Sequence, residues 1–447
     1  MLSQADNELL TRVGPGTPMG NMMRQYWLPA MLADELPSPD CPPVRIRLLG
    51  EDLIAFRTTS GDVGIIQNAC PHRGASMFFG RNEEEGLRCV YHGWKFDVTG
   101  ACVDMPSEPA ESNFKNKVRT KAYAVHERQG VIWCYMGPRE VPPELPMLEA
   151  TMVDGQRPAL CMMEANWLQT VEGDLDTVHL GFLHLGSVSP EDSIPGSYDY
   201  YMVKDRKPHY AIMETEVGTS YGAYRPAEED TTYWRIAHFM FPFWALIPTG
   251  DLGQVVRAQA WVPLDDTHTM YWGWQVTGTN VGRGGQQATA TNAGTGRPLD
   301  AAAPVNRTGF EYLPRTTDWL GRYLLDQNKA NDYNIDREAQ AQGKSFTGIR
   351  GVRQQDKAVG ESMGPVMDRT NEHLGTSDAM VIRTRRKLMA SAKALAEDGT
   401  VPPGVDNPEG YRHRSGSIIL PRDADWLDAT KHLRHPDVAI GEPAVQR

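Results

Sequence analysis

The 447-residue chain lacks several things at once. It has six cysteines, and its 45 Lys and Arg are outnumbered by 57 Asp and Glu, for a formal charge of -12. Six cysteines are too few for a disulfide scaffold in a chain of this length; they are expected to be buried thiols or metal ligands. The acidic balance argues against a nucleic-acid or anionic-membrane partner, so an anionic ligand has to meet locally placed arginines. Long apolar runs are missing too. The longest nearly uncharged aromatic stretch, Phe239 to Pro248, contains Pro242 and is about half of what a membrane span needs. The first residues, MLSQADNELL, show no cationic segment followed by an apolar one, from which a cytoplasmic location is expected. With 40% hydrophobic and 23% charged residues, disordered and fibrous classes are excluded.

What is present divides by period. Residues 1–40 read as a helical lead-in packing on a later domain, with Ser3 as a cap and helical spacing from Met19 to Leu36. From Val44 the pattern alternates, and hairpins follow around Gly61, around Gly100 and between Tyr123 and Met136. Residues 41–146 are therefore expected to form a small all-β domain, with the proline-rich segment Pro138 to Pro146 as its exit. Residues 147–447 alternate strand-like runs with helical ones. The fold class is α+β: a small β domain, then a domain with an antiparallel sheet and covering helices. Residues 279–306, rich in Gly, Ala, Thr and Asn, are expected to be a long mobile loop. A helix capped by Ser377 is predicted to carry Val381, Leu388 and Leu395 on one stripe and to stop at Gly399.

Two short motifs carry chemistry. Cys70-Pro-His72-Arg-Gly and Cys89-Val-Tyr-His92-Gly-Trp94 place a Cys-His pair at each of two loops. A structural zinc site more often pairs Cys with Cys and His with His. One thiolate and one imidazole per loop suits a Rieske [2Fe–2S] cluster, in which two cysteines hold one iron and two histidines the other. Gly74 and Gly93 suit tight loops that bring N–H groups toward sulfur. Cys41, Cys102, Cys134 and Cys161 have no such partners and are expected to be ordinary buried side chains. With its CPHRG and CVYHGW segments the chain resembles the Rieske domain of the ring-hydroxylating oxygenases.

Further on, Asp176, His179 and His184 form a D-x2-H-x4-H pattern, with Asp176 and His179 expected on one helix face. In a straight helix His184 would point away from His179; Gly181 could allow a break or π-type distortion that turns both imidazoles to one metal. Two such histidines alone are more often structural, but a non-haem Fe(II) site needs two imidazoles and one carboxylate with open positions for O2. The resemblance implies that His179 and His184 bind this iron and that Asp356, in QQDKAVGES, is the third ligand, with Glu361 as the alternative. It implies that Asp176 bridges iron-bound His179 to cluster-bound His92 of a neighbouring subunit in a head-to-tail homotrimer, or dimer of trimers. Glu172 and Asp174 are expected either to support this junction or to form a hydrated or interfacial acidic face.

The opening NELLTRVGPGTPMGNMMRQYWLPA and the LLGEDLIAFR strand look most like the phthalate dioxygenase branch. The resemblance implies a terminal oxygenase that takes electrons from a separate NAD(P)H-dependent flavin and iron–sulfur reductase and uses O2. Two outcomes stay open: ring dihydroxylation of a phthalate-like aromatic carboxylate, or O-demethylation of a methoxylated aromatic acid, for example a dehydrodivanillate-type biaryl acid. A Rieske electron carrier without oxygenase activity leaves the larger second domain unexplained. An aromatic acid calls for guanidinium partners, and Arg206, Arg225 and Arg235 are the candidates. Phe239, Phe241, Phe243 and Trp244 are expected in the core, with the substrate cavity as the alternative.

Overall fold

The computed structural model describes residues 1–109, 111–277 and 309–435. The loop expected at 279–306 lies outside the described residues. In chain order the strands build a six-stranded antiparallel sheet, a small four-stranded sheet and an eight-stranded antiparallel sheet. The first runs Trp27–Leu32, Val131–Tyr135, Ala122–Arg128, Val63–Gln67, Glu51–Arg57, Val44–Leu48. The expected hairpins are there: Glu51–Arg57 pairs with Val63–Gln67, and Ala122–Arg128 with Val131–Tyr135. Short strands Arg81–Glu83, Gly86–Arg88, Lys95–Phe96 and Cys102–Asp104 make the second sheet, beside the two Cys-His loops.

The helical spacing read from Met19 to Leu36 is corrected. The helix Pro18–Met23 ends early, and Trp27–Leu32 is a strand paired with Val131–Tyr135. All six of its residues are buried, so no polar face exists to produce the alternation by which strands are recognised.

The eight-stranded sheet has the order Ala159–Met163, Thr269–Thr277, Val255–Pro263, Trp244–Leu246, Thr231–Met240, Gly218–Pro226, His209–Thr215, with Gly416–Pro421 also paired to Thr231–Met240. On it pack Trp167–Leu175 and Ala379–Asp398, and Val352–Ser362 packs against Trp167–Leu175. The last ends at Gly399 with φ 77°, as its sequence predicts; Asp378, not Ser377, precedes its first turn. Val381 and Leu388 are buried and Leu395 packs on the core. Phe239, Phe241, Phe243 and Trp244 are fully buried in the main core. No helix among the described residues is long and apolar enough to cross a membrane.

Candidate cluster and metal sites

The two Cys-His loops share one construction. In each, a glycine N–H returns to the cysteine carbonyl: Gly74 to Cys70 at 2.8 Å and Gly93 to Cys89 at 2.9 Å. These glycines have φ of 76° and 81°, and a Cβ at Gly93 would meet Pro106 at 2.7 Å, so the second loop is closed to larger residues. The rings of His72 and His92 stand 4.4 Å apart, and Trp94 stacks on His72 at 4.3 Å. Nδ1 of His72 is buried without a hydrogen-bond partner. Burial, with a smaller push from Cys89, raises the Cys70 thiol to about 11 against the backbone N–H groups of His72 and Arg73. A thiol so disfavoured as an anion is held as thiolate by a metal cation. Two buried sulfurs, two adjacent imidazoles and an orphaned ring nitrogen fit a [2Fe–2S] cluster. Cys41, Cys102, Cys134 and Cys161 are buried free thiols, Cys102 in the same small core as Cys70 and Cys89.

The second site gathers on two segments. Asn166 caps the helix Trp167–Leu175 by accepting from the N–H of Leu168. This helix stops at Asp176, which takes extended backbone angles. The Asp176 carboxylate accepts from the N–H of Val178 at 2.7 Å, a local turn that competes with helix continuation. The chain then makes a π-helical turn over Leu180–His184. That turn brings the rings of His179 and His184 to 5.1 Å.

From the helix Val352–Ser362, Oδ1 of Asp356 faces both imidazoles, 3.7 Å from Nε2 of His179 and 3.2 Å from Nε2 of His184. His179, His184 and Asp356 thus offer three converging ligand atoms, two nitrogens and one oxygen. On the far side, Oδ2 of Asp176 lies 3.6 Å from Nδ1 of His179. Burial opposes a charge on His179, yet Asp176 and Asp356 together push its pKa up. Burial likewise works against the Asp356 carboxylate, but the hydrogen bond from His184 and the Arg353 cation hold it below its ordinary value. The donor set therefore suits a divalent cation, which replaces the proton these groups would otherwise share.

Glu361, the alternative ligand, is engaged elsewhere: it pairs with Lys357, accepts from the N–H of Glu164 at 2.7 Å and from the Tyr333 hydroxyl at 2.6 Å. Glu172 is no hydrated face, being buried between Arg369 and Arg385. Asp174 is buried beside Arg353 and Trp261.

Spacing alone does not single out Gln355. Its oxygen lies 2.6 Å from Nδ1 of His184, while its amide donates to Thr347 Oγ1 and to the Ile349 carbonyl. A carboxamide oxygen can only accept, so Nδ1 of His184 carries a proton whatever the state of Nε2, which faces Asp356.

The three nominated arginines separate. Arg206 reaches the Val188 carbonyl at 3.3 Å and lies over Phe182. Arg225 and Arg235 are each 1% exposed and stand on paired strands, in register with Tyr233 and Ala223 respectively. This register puts both on one sheet face. Arg235 donates to Thr177 Oγ1 at 2.9 Å, beside Asp176. The only side-chain hydrogen bond of Arg225 goes to the Met202 sulfur, and among the described residues neither guanidinium has a carboxylate within ion-pair distance, although Asp205 acts on Arg225 and Asp199 on Arg235 from farther off. Burial, then repulsion from Arg235, lowers the Arg225 pKa to about 10. Arg257, which the sequence reading did not nominate, adds a buried Nε without a partner.

Residues 26–123 match the family model "Rieske [2Fe-2S] domain", and residues 134–287 and 316–441 match "LigXa C-terminal domain like". The chain is 47% identical over 430 residues to the 3-chlorobenzoate-3,4-dioxygenase oxygenase subunit of Comamonas testosteroni, covering 95% of this chain and 96% of the relative. It is 37% identical to the phthalate 4,5-dioxygenase oxygenase subunit of Pseudomonas putida, over 96% and 94% of the two chains. Identity to the 5,5'-dehydrodivanillate O-demethylase oxygenase subunit of a Sphingobium species is 33%, over 99% and 95%. Among solved structures, Pseudomonas putida CBB5 NdmA shares the fold at a TM-score of 0.56 and 18% identity, covering 92% of this chain and 100% of that one. The chain belongs to the Rieske non-haem iron ring-hydroxylating oxygenases, as an oxygenase subunit of the phthalate dioxygenase branch that works with a [2Fe–2S] cluster, a mononuclear iron, O2 and electrons supplied by a reductase from NAD(P)H.

Proposed function

We propose that this terminal oxygenase dihydroxylates the ring of an aromatic carboxylate, phthalate-like in its charge, held by Arg225 and Arg235 near an iron bound to His179, His184 and Asp356. The observation that carries the reading is the pair of buried guanidiniums with no carboxylate within ion-pair distance among the described residues, on a sheet face joined to the metal segment through Thr177. Buried cations are ordinarily paired, and a substrate carboxylate supplies the missing partner. Relatives named for 3-chlorobenzoate and phthalate support the substrate class.

Cys70, His72, Cys89 and His92 would hold the cluster. His179, His184 and Asp356 would hold an Fe(II) that, when bound and reduced, would supply the activation of O2. Around it, Gln355 keeps the His184 proton on Nδ1, Asp176 orients His179, and Arg235 and Arg225 fix the carboxylate so that one ring edge faces the metal. The reaction consumes one O2, two electrons and two protons, and both oxygen atoms enter the cis-dihydrodiol. With a methoxy carbon in that place, the same inputs give a phenol, formaldehyde and water. The relative named for O-demethylation supports that as the second reading.

We also propose a head-to-tail trimer, with Asp176 passing electrons from His92 of one chain to His179 of the next. Exposed apolar side chains support it at both ends: Val90 and Tyr91 beside His92, and Val352 and Val359 on the helix that carries Asp356, with Met363 just after it.

Oxygen uptake with a cognate reductase against phthalates, chlorobenzoates and methoxylated aromatic acids, with formaldehyde measured alongside, tests the substrate class. Uptake in step with dihydrodiol and without formaldehyde is expected; stoichiometric formaldehyde selects demethylation. His179→Ala should abolish turnover and empty the mononuclear site while the Rieske absorption persists. Loss of the Rieske absorption instead would overturn the division of the two sites.

A further inference from the structure

The two oxygens of Asp356 meet different partners. Oδ1 faces the two imidazoles, whereas Oδ2 lies 3.4 Å from Nη1 of Arg353, one helical turn earlier. We propose that Arg353 is a positioning residue that holds Oδ2 off the metal, so that Asp356 presents one oxygen and leaves coordination positions open. This rests on Asp356 being an iron ligand.

Arg353 is itself held on every side. Its Nη1 also lies 3.2 Å from Oδ1 of Asp174, and its guanidinium carbon sits 4.4 Å from the ring centre of Tyr271 and 5.3 Å from that of Trp261. Nη2 is 3.0 Å from the Gln259 oxygen, with the carboxamide turned so that its NH2 meets Asp174. Asp174 has donors of its own, from Trp261 at 2.6 Å and from Gln259. A plain ion pair would use both ends of the guanidinium fork on one carboxylate. Here one nitrogen serves two carboxylates and the other is fixed by a neutral group. The cation is therefore poised between Asp174, which anchors it, and Asp356, which it restrains. A carboxylate left free at a divalent metal can bind through both oxygens, closing a position that a two-histidine, one-carboxylate site keeps open.

The test uses the holoenzyme and three variants: Arg353→Gln, the charge-balanced Asp174→Asn/Arg353→Gln, and Arg353→Lys. Iron content and Rieske absorption serve as controls, and nitric oxide affinity of the ferrous site, followed by electron paramagnetic resonance, is the readout besides kcat. The balanced variant is expected to keep its iron and Rieske signal while nitric oxide affinity and kcat fall by about 10- to 100-fold. Arg353→Lys, which keeps the cation, should recover part of both. Wild-type nitric oxide affinity in the balanced variant, loss of its iron, or a lysine variant no better than glutamine would each overturn the proposal. Asp356→Ala retaining full iron would instead remove the ligand assignment beneath it.

Discussion

Arg225 places a positive charge where the fold gives it a thioether to bond and where burial and a second guanidinium outweigh the pull of the more distant Asp205 and the neighbouring tyrosines. Desolvation of such a group is unfavourable, and a folded pKa of about 10, well below that of an ordinary arginine, means that the folded state holds the proton less tightly than the unfolded one. Arg225 therefore subtracts from stability at neutral pH, and an anion that pairs with it gives some back. Arg225→Met is expected to stabilise the substrate-free protein by about 1 kcal/mol or more, as a functional charge replaced by an apolar chain of similar length. The same variant should lose most of the rise in melting temperature that an aromatic carboxylate produces in the wild type. Thermal melts with and without benzoate-class ligands check both halves; a destabilised variant with an intact ligand response would remove Arg225 from the site. Gln355 acts more locally. Gln355→Leu withdraws the acceptor that fixes the His184 tautomer and should weaken iron binding by about 10- to 100-fold, measured by chelator competition, with no change in the Rieske spectrum.

At the scale of elements, the helix Trp167–Leu175 is held by charge as well as by packing. Glu172 bridges Arg369 and Arg385, and Arg385 also pairs with Glu372 near the helix Ala379–Asp398. Burial favours the neutral form of Glu172, but the two guanidiniums outweigh it and its pKa lies below the ordinary 4.5. A carboxyl with a depressed folded pKa stabilises the fold above its unfolded value, and that contribution is lost as pH falls through the folded value. Glu172→Gln should thus lower stability by about 3–5 kcal/mol at pH 7. In urea titrations the gap between variant and wild type should shrink below about pH 4. The same elements show what could be read in advance. Each Cys-His loop is local, with its glycine and its ligands within five residues, so the motif displays the whole construction. The π turn between His179 and His184 was foreseeable because their spacing fits no straight helix and Gly181 lies between. Arg353 and Asp356 share a helix face by spacing, but Gln259 and Trp261 reach Asp174 only because of sheet register, which no local pattern states. Asp356 itself could be nominated from the sequence only through a family resemblance, since it meets the histidines across a distance of nearly 180 residues.

For the whole molecule, net charge and surface follow from assembly and traffic. A charge of -12 repels the very anions the enzyme is proposed to oxidise, which makes a few buried arginines the selective element. The apolar residues beside His92 and along Val352–Ser362 would be a liability on an isolated chain, and they are accounted for if each end covers the other in a ring. A head-to-tail ring has a consequence that no single chain shares: the cluster of one subunit serves the iron of the next. Chains lacking the cluster (Cys89→Ser) and chains lacking the iron (His179→Ala) are each inactive alone. When the two are co-assembled, an iron-competent subunit can sit beside a cluster-competent one. Random mixing at equal amounts makes about one junction in four productive, so about a quarter of wild-type turnover per chain is expected. Transfer within one chain predicts none, because no chain in the mixture holds both centres. Adding Asp176→Asn to the cluster-less, iron-competent chain should abolish the recovered activity while trimer mass, read by light scattering, stays the same. Recovery that survives this substitution would take the electron path away from Asp176 while leaving the ring intact.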